Sequence, residues 1–594
     1  MKKEDEKPAG SVAFVNVFRE LWNHLGSNKK TFFGYMSLFL VAGFVELLNP
    51  LVIGLVFNSI QKEIMSQAQL WSLIRLISLL FILTLTFTAI HIIARYHEQK
   101  TGFLVGRNYT NRKIRKLLEL PISWHKDHHS GSTIDKISKG GTSLQNFAKH
   151  STFQVVYAVI NLLGSVIILL FFDIYVAIAA FVISLVIMSL IVHMDKKLNK
   201  MYERRNNLEN KSSAAIFDYL SNVITVITLR LKRTVKKEVD DRIMAPYEGY
   251  RKEIKLSEIK WGFAGVALSL MTVIILSYRA YTDYTTTGVI LIGTLYILYG
   301  YLNTIGNTFY TLAHIYGQMV IYHSQLNNAK PIDEEYEKLR EGTAGKLPQE
   351  WKEVEIKNLN FTYGSEGSKN HLDNIHFNFK KGEKIALVGE SGSGKSTFLT
   401  LLRGLYDPEK AEVLADGKVL KHGMAHLRDS VTLIPQDPEI FNNTIKYNIT
   451  MDLPYRKEEV LKAIKLAQFT DVVKRLDKGL KTNVMEKGVS LSGGEKQRLA
   501  LARGLLAAKK SDIVLLDEPT SSVDSLNEMH IHNQVFREFR DKTVISSIHR
   551  LHLLEKFDRV YFFEKGKIIA SGTLNEIKRD AKFRYLWNNY TRKK

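Results

Sequence analysis

Cysteine is absent from the 594-residue chain, which excludes disulfides, thiolate metal sites and cysteine nucleophiles and leaves the redox compartment open. The first ten residues lack the apolar core and small-residue cleavage site of a removable signal peptide, so none is expected. Long apolar runs are missing after about residue 320, although hydrophobic residues make up 45% of the whole. The near-neutral mean hydropathy of −0.09 therefore averages two regimes, one apolar enough for a bilayer and one not. Acidic residues are the minority, 60 against 82 Lys and Arg, for a formal net charge of +22. Such an excess can signal nucleic acid. Here the basic residues are dispersed among acidic ones beside apolar spans, which favours an anionic membrane face, and no nucleic-acid partner is expected.

What is present is organised around Gly389-Glu390-Ser391-Gly392-Ser393-Gly394-Lys395-Ser396, which fits the spacing of a phosphate-binding loop. A buried-strand pattern, Lys384–Val388, precedes it, and Thr397–Leu402 reads as the first turns of a helix. Glycines let the backbone approach a ligand closely, and the helix N-terminus aims unpaired N–H groups at an anion. Lys395 is expected to reach the β- and γ-phosphates of a nucleotide and Ser396 to ligate Mg²⁺.

The apolar half predicts a short amphipathic helix over 11–30, lying on the membrane. Six stretches then have the length a bilayer requires, near 31–57, 71–95, 153–172, 174–194, 261–281 and 287–307. The third and fourth meet at Asp173. The long connections, 96–152 and 195–260, are helical in pattern and rich in Lys and Arg, so they and both termini are expected on the cytoplasmic side. That places the phosphate loop where ATP is available. Glu46 stands at membrane depth near Pro50; such a residue either contacts substrate or fixes helix packing.

Downstream of the loop, a carboxylate ending a buried strand, Asp517, suits an Mg²⁺ shell, and the adjacent Glu518 would orient or deprotonate an attacking water. His549 could hold Glu518 and bond the γ-phosphate, while Gln436 could sense Mg²⁺ and water. Ser492-Gly493-Gly494 forms a second N–H-rich turn before a helix. One nucleotide does not need two such turns from one chain.

With these residues in this order, the chain resembles an ATP-binding cassette (ABC) transporter, an exporter-type half-transporter with fused transmembrane and nucleotide-binding domains. Residues 353–590 carry the resemblance nearly end to end; in the membrane half it rests on six spans, on Leu117–Pro121 through Gly131, and on Gly293–Leu295. The implied fold is a membrane α-helical bundle of six transmembrane helices with long cytoplasmic extensions, fused to an α/β P-loop NTPase domain of ABC type. The implied domains are a tail and interfacial helix over 1–30, a transmembrane domain over 31–322, a linker over 323–350 and a nucleotide-binding domain over 351–594.

The resemblance also implies roles. ATP and Mg²⁺ are the cofactors, with Tyr363 on the adenine and Gly389, Ser391, Gly392, Ser393, Gly394, Lys395, Ser396 and Thr397 in the phosphate loop. Ser396, Gln436 and Asp517 serve the metal; Glu518, His549 and Gln436 serve catalysis; Asp524 stands in the D-loop. Ser492, Gly493 and Gly494 complete the ATP site of a second half-transporter, identical or different. Coupling helices are expected near 119–135 and 214–230. Glu495 replaces the usual Gln of the signature, Met485 stands where Gly is common, and Ile548 replaces a common Thr. ATP-driven export or leaflet flipping of a hydrophobic or amphipathic substrate is the implied function. Import of a metal chelate and an ATP-gated channel or regulator are the alternatives. Six spans exclude a soluble DNA-repair ATPase. The substrate is a small molecule, lipid or peptide, and the absence of a fused peptidase lowers the weight of peptides. Tyr157, Tyr296, Tyr299, Tyr301 and Asn303 could line a cavity for amphipaths. The expected location is the plasma membrane, with the nucleotide-binding domain cytoplasmic.

Overall fold

A computed structural model describes residues 9–62, 66–339, 346–363, 371–437, 439–484, 491–521 and 525–592. The chain forms two compact units, one of residues 1–120 and 124–339 and the other of residues 340–594 together with Pro121–Ser123.

The first unit is entirely helical among its described residues. Helix α1 (Ala9–His24) is followed, after a turn of 3-10 helix, by α2 (Lys29–Leu47) and α3 (Asn49–Gln61). The expected first span is thus two helices, broken at Leu48 just before Pro50, whose ring cannot supply an interior N–H. Helices α4 (Gln67–Glu119), α5 (Ile122–Asp127) and α6 (Ser130–Asn146) lead through a π-helical turn into α7 (Thr152–Phe172). Asp173 then caps α8 (Ile174–Ser221), its carboxylate accepting from the backbone N–H of Tyr175 at 2.9 Å. Arg279 also reaches Asp173, at 2.9 Å, so the near-loopless junction is pinned from another helix. Helices α9 (Val223–Thr228) and α10 (Lys232–Met244) precede α11 (Tyr247–Thr287).

Helix α11 runs through the expected loop at 282–286 and ends at Gly288, whose φ of +70° suits a left-handed C-cap. Helix α12 (Ile292–Asn327) follows. Among the described residues, five helical stretches are long and apolar enough to cross a membrane, and α12 is not one of them. Its Tyr, Asn and Gly residues dilute the apolar pattern of the expected sixth span. They can do so because Ile297, Leu298, Tyr301, Leu302 and Ile305 are enclosed by protein rather than lipid. Where α12 crosses α3 the backbones nearly touch: a Cβ on Gly293 would lie 2.0 Å from the Gly54 carbonyl oxygen.

Helix α1 buries Val17 and Leu21, with Leu25 just beyond its end, in a cluster with Phe32, Tyr109 and Met319, while Val15 and Phe18 remain exposed. Its apolar stripe is therefore covered by α2, α4 and α12. The polar residues after α12 include α13 (Lys330–Leu339), fastened to α4 by Asp333, which accepts from Lys116 at 2.7 Å and also pairs with Lys113. Burial pushes the Asp333 carboxyl up, but the two ammonium groups outweigh it and hold the group below its ordinary value.

The second unit begins with β1 (Glu353–Phe361), β2 (Leu372–Lys380) and β3 (Lys384–Val388), then α14 (Lys395–Leu402), β4 (Lys410–Ala415), β5 (Lys418–Val419) and β6 (Val431–Ile434). A helical arm follows: β7 (Asn443–Thr444), α15 (Ile445–Thr450), α16 (Lys457–Leu466), α17 (Thr470–Arg475) and β8 (Asn483–Val484). The chain returns through α18 (Gly493–Ala507), β9 (Ile513–Asp517), α19 (Ser525–Glu538), β10 (Thr543–Ser547), β11 (Arg559–Glu564), β12 (Lys567–Gly572), α20 (Leu574–Ile577) and α21 (Ala581–Arg592). An antiparallel sheet has the order β2-β1-β4-β5, and a six-stranded sheet the order β12-β11-β3-β10-β9-β6. In the second sheet β11, β3, β10, β9 and β6 pair parallel. Strands β3, β9 and β10 are buried at every residue, which is why their centres are apolar without the alternation of a half-exposed strand.

Candidate nucleotide site

The site gathers at the C-terminal ends of β3, β9 and β10, where ligands of open α/β sheets bind. At the end of β3, Gly389 passes so close to β11 that a Cβ would meet the Phe563 carbonyl oxygen at 2.2 Å. Gly394, with φ +107°, caps α14. No other residue type fits these two points without strain. Between them the loop curls around Lys395, whose buried ammonium donates to the carbonyls of Gly389 at 2.8 Å and Glu390 at 3.1 Å. Burial pushes the Lys395 pKa down, against the pull of Glu518 and Asp517. Thr397 approaches the Tyr363 hydroxyl at 3.4 Å. The Tyr363 ring sits edge-on to Phe361, His371 and Tyr406.

Strand β9 supplies the carboxylates. Asp517 accepts from Ser396 Oγ at 3.0 Å and from Ser547 Oγ at 2.7 Å. Ser547 in turn accepts the backbone N–H of Glu518 at 3.0 Å. The chain turns sharply at Glu518, whose φ of +46° is left-handed and costs a non-glycine residue about 1–2 kcal/mol. That turn brings the Glu518 carboxylate between two partners. Gln436 Nε2 donates to one oxygen at 3.0 Å, and His549 Nε2 closes on the other. Glu528, buried under this segment, accepts from Thr520 and Arg550 at 2.8 Å each, bracing the strand ends that carry Glu518 and His549.

Ser492, Gly493 and Gly494 are arranged differently. Ser492 caps α18 in a reciprocal box: its hydroxyl accepts from Glu495 N at 3.3 Å, and Glu495 accepts from Ser492 N at 2.8 Å. Arg475 reaches the other Glu495 oxygen at 2.6 Å. The signature's departure from Gln thus has a partner, and the carboxylate serves as cap and ion pair together. Among the described residues, no hydrogen bond or ion pair joins this turn to Gly389–Thr397. The turn stands at the head of α18, which packs into the cluster of Ile445, Ile464 and Leu499, whereas the phosphate loop heads α14, in the cluster of Phe377, Phe398 and Leu515.

Gln436, Lys395, Ser396, Asp517, Glu518 and His549 are therefore brought together, and Ser492–Gly494 stand apart. Asp524 and Met485 lie outside the described residues. Sequence reasoning missed Ser547, which ties Asp517 to the Glu518 backbone, and Gln497, which donates to Ser521 at 2.8 Å. The only sequence signal for Ser547 is its place at the end of β10, two residues before His549.

Residues 32–317 match the family described as ABC transporter transmembrane region, and residues 372–521 match the ABC transporter family. The chain belongs to the ABC transporters. A multidrug resistance ABC transporter ATP-binding and permease protein of Lactococcus lactis subsp. lactis (strain IL1403) is 28% identical over 483 residues, 80% of each chain. The alpha-hemolysin translocation ATP-binding protein of Escherichia coli O157:H7 is 28% identical over 93% of this chain and 78% of its own. The ATP-dependent lipid A-core flippase of Photobacterium profundum is 38% identical over 39% of this chain and 40% of its own. A solved bacterial Atm1-family ABC exporter with ATP bound superimposes with a TM-score of 0.84 at 23% identity, covering 95% of this chain and 99% of that one. This ABC transporter thus has the exporter-type fold and is an integral membrane ATPase coupled to transport, with a helical membrane domain and an ATP-binding domain in one polypeptide. Its half-transporter architecture implies a dimer.

Proposed function

We propose that two copies of this chain, in the plasma membrane with the nucleotide domains cytoplasmic, export or flip a hydrophobic or amphipathic substrate by hydrolysing two shared ATP molecules. The observation that carries the mechanism is the Glu518 carboxylate, set between Gln436 and His549 and one residue beyond Asp517. A carboxylate held from both sides is oriented to take a proton from an attacking water. His549 positions it, and Gln436 senses what sits beside it. Lys395, on its own loop's carbonyls, would exchange them for phosphate oxygens. Tyr363 would stack on the base.

The residues present fit a divalent cation: Ser396 and Asp517 supply hard oxygens 3.0 Å apart, with Gln436 on the same carboxylate cluster. They would hold Mg²⁺, which supplies charge neutralisation at the phosphates when bound. Ser492–Gly494 of the opposite copy would complete each site through the N–H groups at the head of α18. The short helices α5 and α9 lie where coupling elements are expected; α9 is exposed, with Ile224 76% accessible. The multidrug and lipid A relatives outnumber the hemolysin translocator, which supports a lipid- or drug-like substrate more than a peptide. Tyr301, expected to line a cavity for it, is instead wholly enclosed and donates to the Leu47 carbonyl.

Glu518→Gln keeps the side chain's size and its contact with His549 but removes the base. ATP hydrolysis by purified protein is expected to fall by about 10²- to 10⁴-fold with ATP still bound. Hydrolysis near the wild-type rate would contradict the role given to Glu518.

A further inference from the structure

A polar cavity of about 380 Å³ lies in the membrane unit between α1, α4, α12 and α13, remote in sequence from every residue of the nucleotide site. Its basic residues, Arg19, Arg112, Lys113, Lys116 and Lys330, outnumber its four carboxylates. The imbalance is sharpest at the back wall. Lys113 and Lys116 are only 5% and 7% exposed, and the two ammonium groups share a single carboxylate, Asp333. Their remaining contacts are neutral: the Ala329 carbonyl oxygen at 3.0 Å from Lys113, and the rings of Tyr109 and Tyr336 at 5.4 and 5.1 Å. A buried pair of cations with one anion leaves positive charge uncompensated in a low-dielectric wall. At the mouth, Arg19 on α1 and Arg112 on α4 are exposed, and neither has an ion-pair partner among the described residues. Guanidinium forks match phosphate oxygens in shape and charge.

The junction of α1 and α2 carries the marks of a membrane surface. The Lys29 ammonium sits 4.4 Å over the Trp22 ring, and Trp22 meets Phe33 edge-on at 5.9 Å. Phe33 is 59% exposed. Amphipathic rings and a lysine at a helix end are the pattern of the headgroup level. Trp22 is two residues from His24, itself part of the cavity wall.

We propose that this cavity binds a phosphate-bearing anion, supplied by the headgroup of an anionic phospholipid of the adjoining leaflet. The phosphate would reach past Arg19 and Arg112 to provide the negative charge that Lys113 and Lys116 lack, while the acyl chains stay in the bilayer beside Phe33. This site is separate from substrate transport and from ATP, so it stands or falls apart from the function proposed above.

The full-length protein, extracted from vesicles of phosphatidylcholine doped with phosphatidylglycerol, tests it by native mass spectrometry of the retained lipid. The wild type is expected to retain phosphatidylglycerol preferentially. The double substitution Arg19→Gln/Arg112→Gln should lower that preference by about 30-fold, from about fivefold per basic side chain at an anionic surface. Glu20→Gln/Glu337→Gln should raise it. Basal ATP hydrolysis should be unchanged in both variants. Equal preference in wild type and the arginine variant would overturn the site. If glycerol 3-phosphate binds in an arginine-dependent manner while phosphatidylglycerol is retained no better than phosphatidylcholine, the lipid source is overturned and a free organic phosphate takes its place.

Discussion

The two phosphate-type turns of the nucleotide unit use the same materials, small residues at the head of a helix, yet only one has the rest of a site around it. Gly389–Ser396 is surrounded by a lysine, a hydroxyl, two carboxylates, a glutamine and a histidine. Ser492–Gly494 has a cap and an acidic partner for Arg475, and among the described residues no lysine side chain or further carboxylate joins it to handle a γ-phosphate. A Cβ on Gly389 would strike backbone, whereas one on Gly493 meets nothing within 4 Å. The first glycine is demanded by its own chain. The second leaves space that its own chain does not use. That contrast is what the proposed sharing of each ATP between two copies requires: an intact turn whose phosphate would come from the other chain.

Substitutions sharpen the contrast. Lys395→Ala strips the complete turn of its cation. ATP binding and hydrolysis by the purified protein should both fall, hydrolysis by at least about 10²-fold, as when a preorganised charge is removed from a phosphoryl-transfer site. Gly493→Asp puts a carboxylate where a partner's phosphate would arrive. Turnover should fall by a similar factor of about 10²-fold, while equilibrium ATP binding, which rests on the loop side, persists. Equal loss of ATP binding in the two variants would erase the distinction between the turns.

Smaller effects report on the cap. Glu495→Ala removes both the bond to Ser492 N and the pairing with Arg475, so full-length protein should lose about 1–2 kcal/mol in thermal unfolding. Glu495→Gln, which retains an acceptor, should lose less than about 1 kcal/mol and keep most activity. Burial pushes the Glu495 carboxyl up, but the Ser492 N–H and Arg475 outweigh it and hold the pKa below its ordinary value. The carboxylate therefore stabilises the fold above the ordinary glutamate range. The stability gap between wild type and Glu495→Ala should be level from about pH 5 to 8 and close below about pH 4.

Much of the nucleotide site was legible because its chemistry is written in adjacent residues: loop and helix, Asp517 beside Glu518, His549 after a strand. Ser547 was not, because its contact depends on the parallel register that sets Ser547 opposite Asp517, and side-chain periodicity says nothing of register. Arg475 was hidden for a like reason, lying twenty residues from Glu495 on another helix. In the membrane unit, hydropathy found the helices but not their neighbours. The stripe of Val17 and Leu21 could have faced lipid or protein, and only packing assigns it to protein. Helix α12 ran against hydropathy for the same cause: its tyrosines are tolerated where protein encloses them, as where Tyr301 donates to the Leu47 carbonyl at 2.9 Å. Glu46 stays a question of chemistry rather than pattern, since one of its carboxylate oxygens and the Tyr157 hydroxyl are enclosed without hydrogen-bond partners among the described residues.

The sharing of each ATP is tested most directly by mixing two inactive chains. Lys395→Ala and Gly493→Asp are each expected to be inactive as pure dimers. In a mixed dimer one site combines both defects, and the other combines an intact Lys395 loop with an intact Ser492 turn. Co-expressed and co-purified through different tags, the mixed dimer should recover ATP hydrolysis and trap one nucleotide per dimer. If each chain instead built its site alone, every site in the mixture would carry a defect, and a mixed dimer as inactive as its parents would contradict the account.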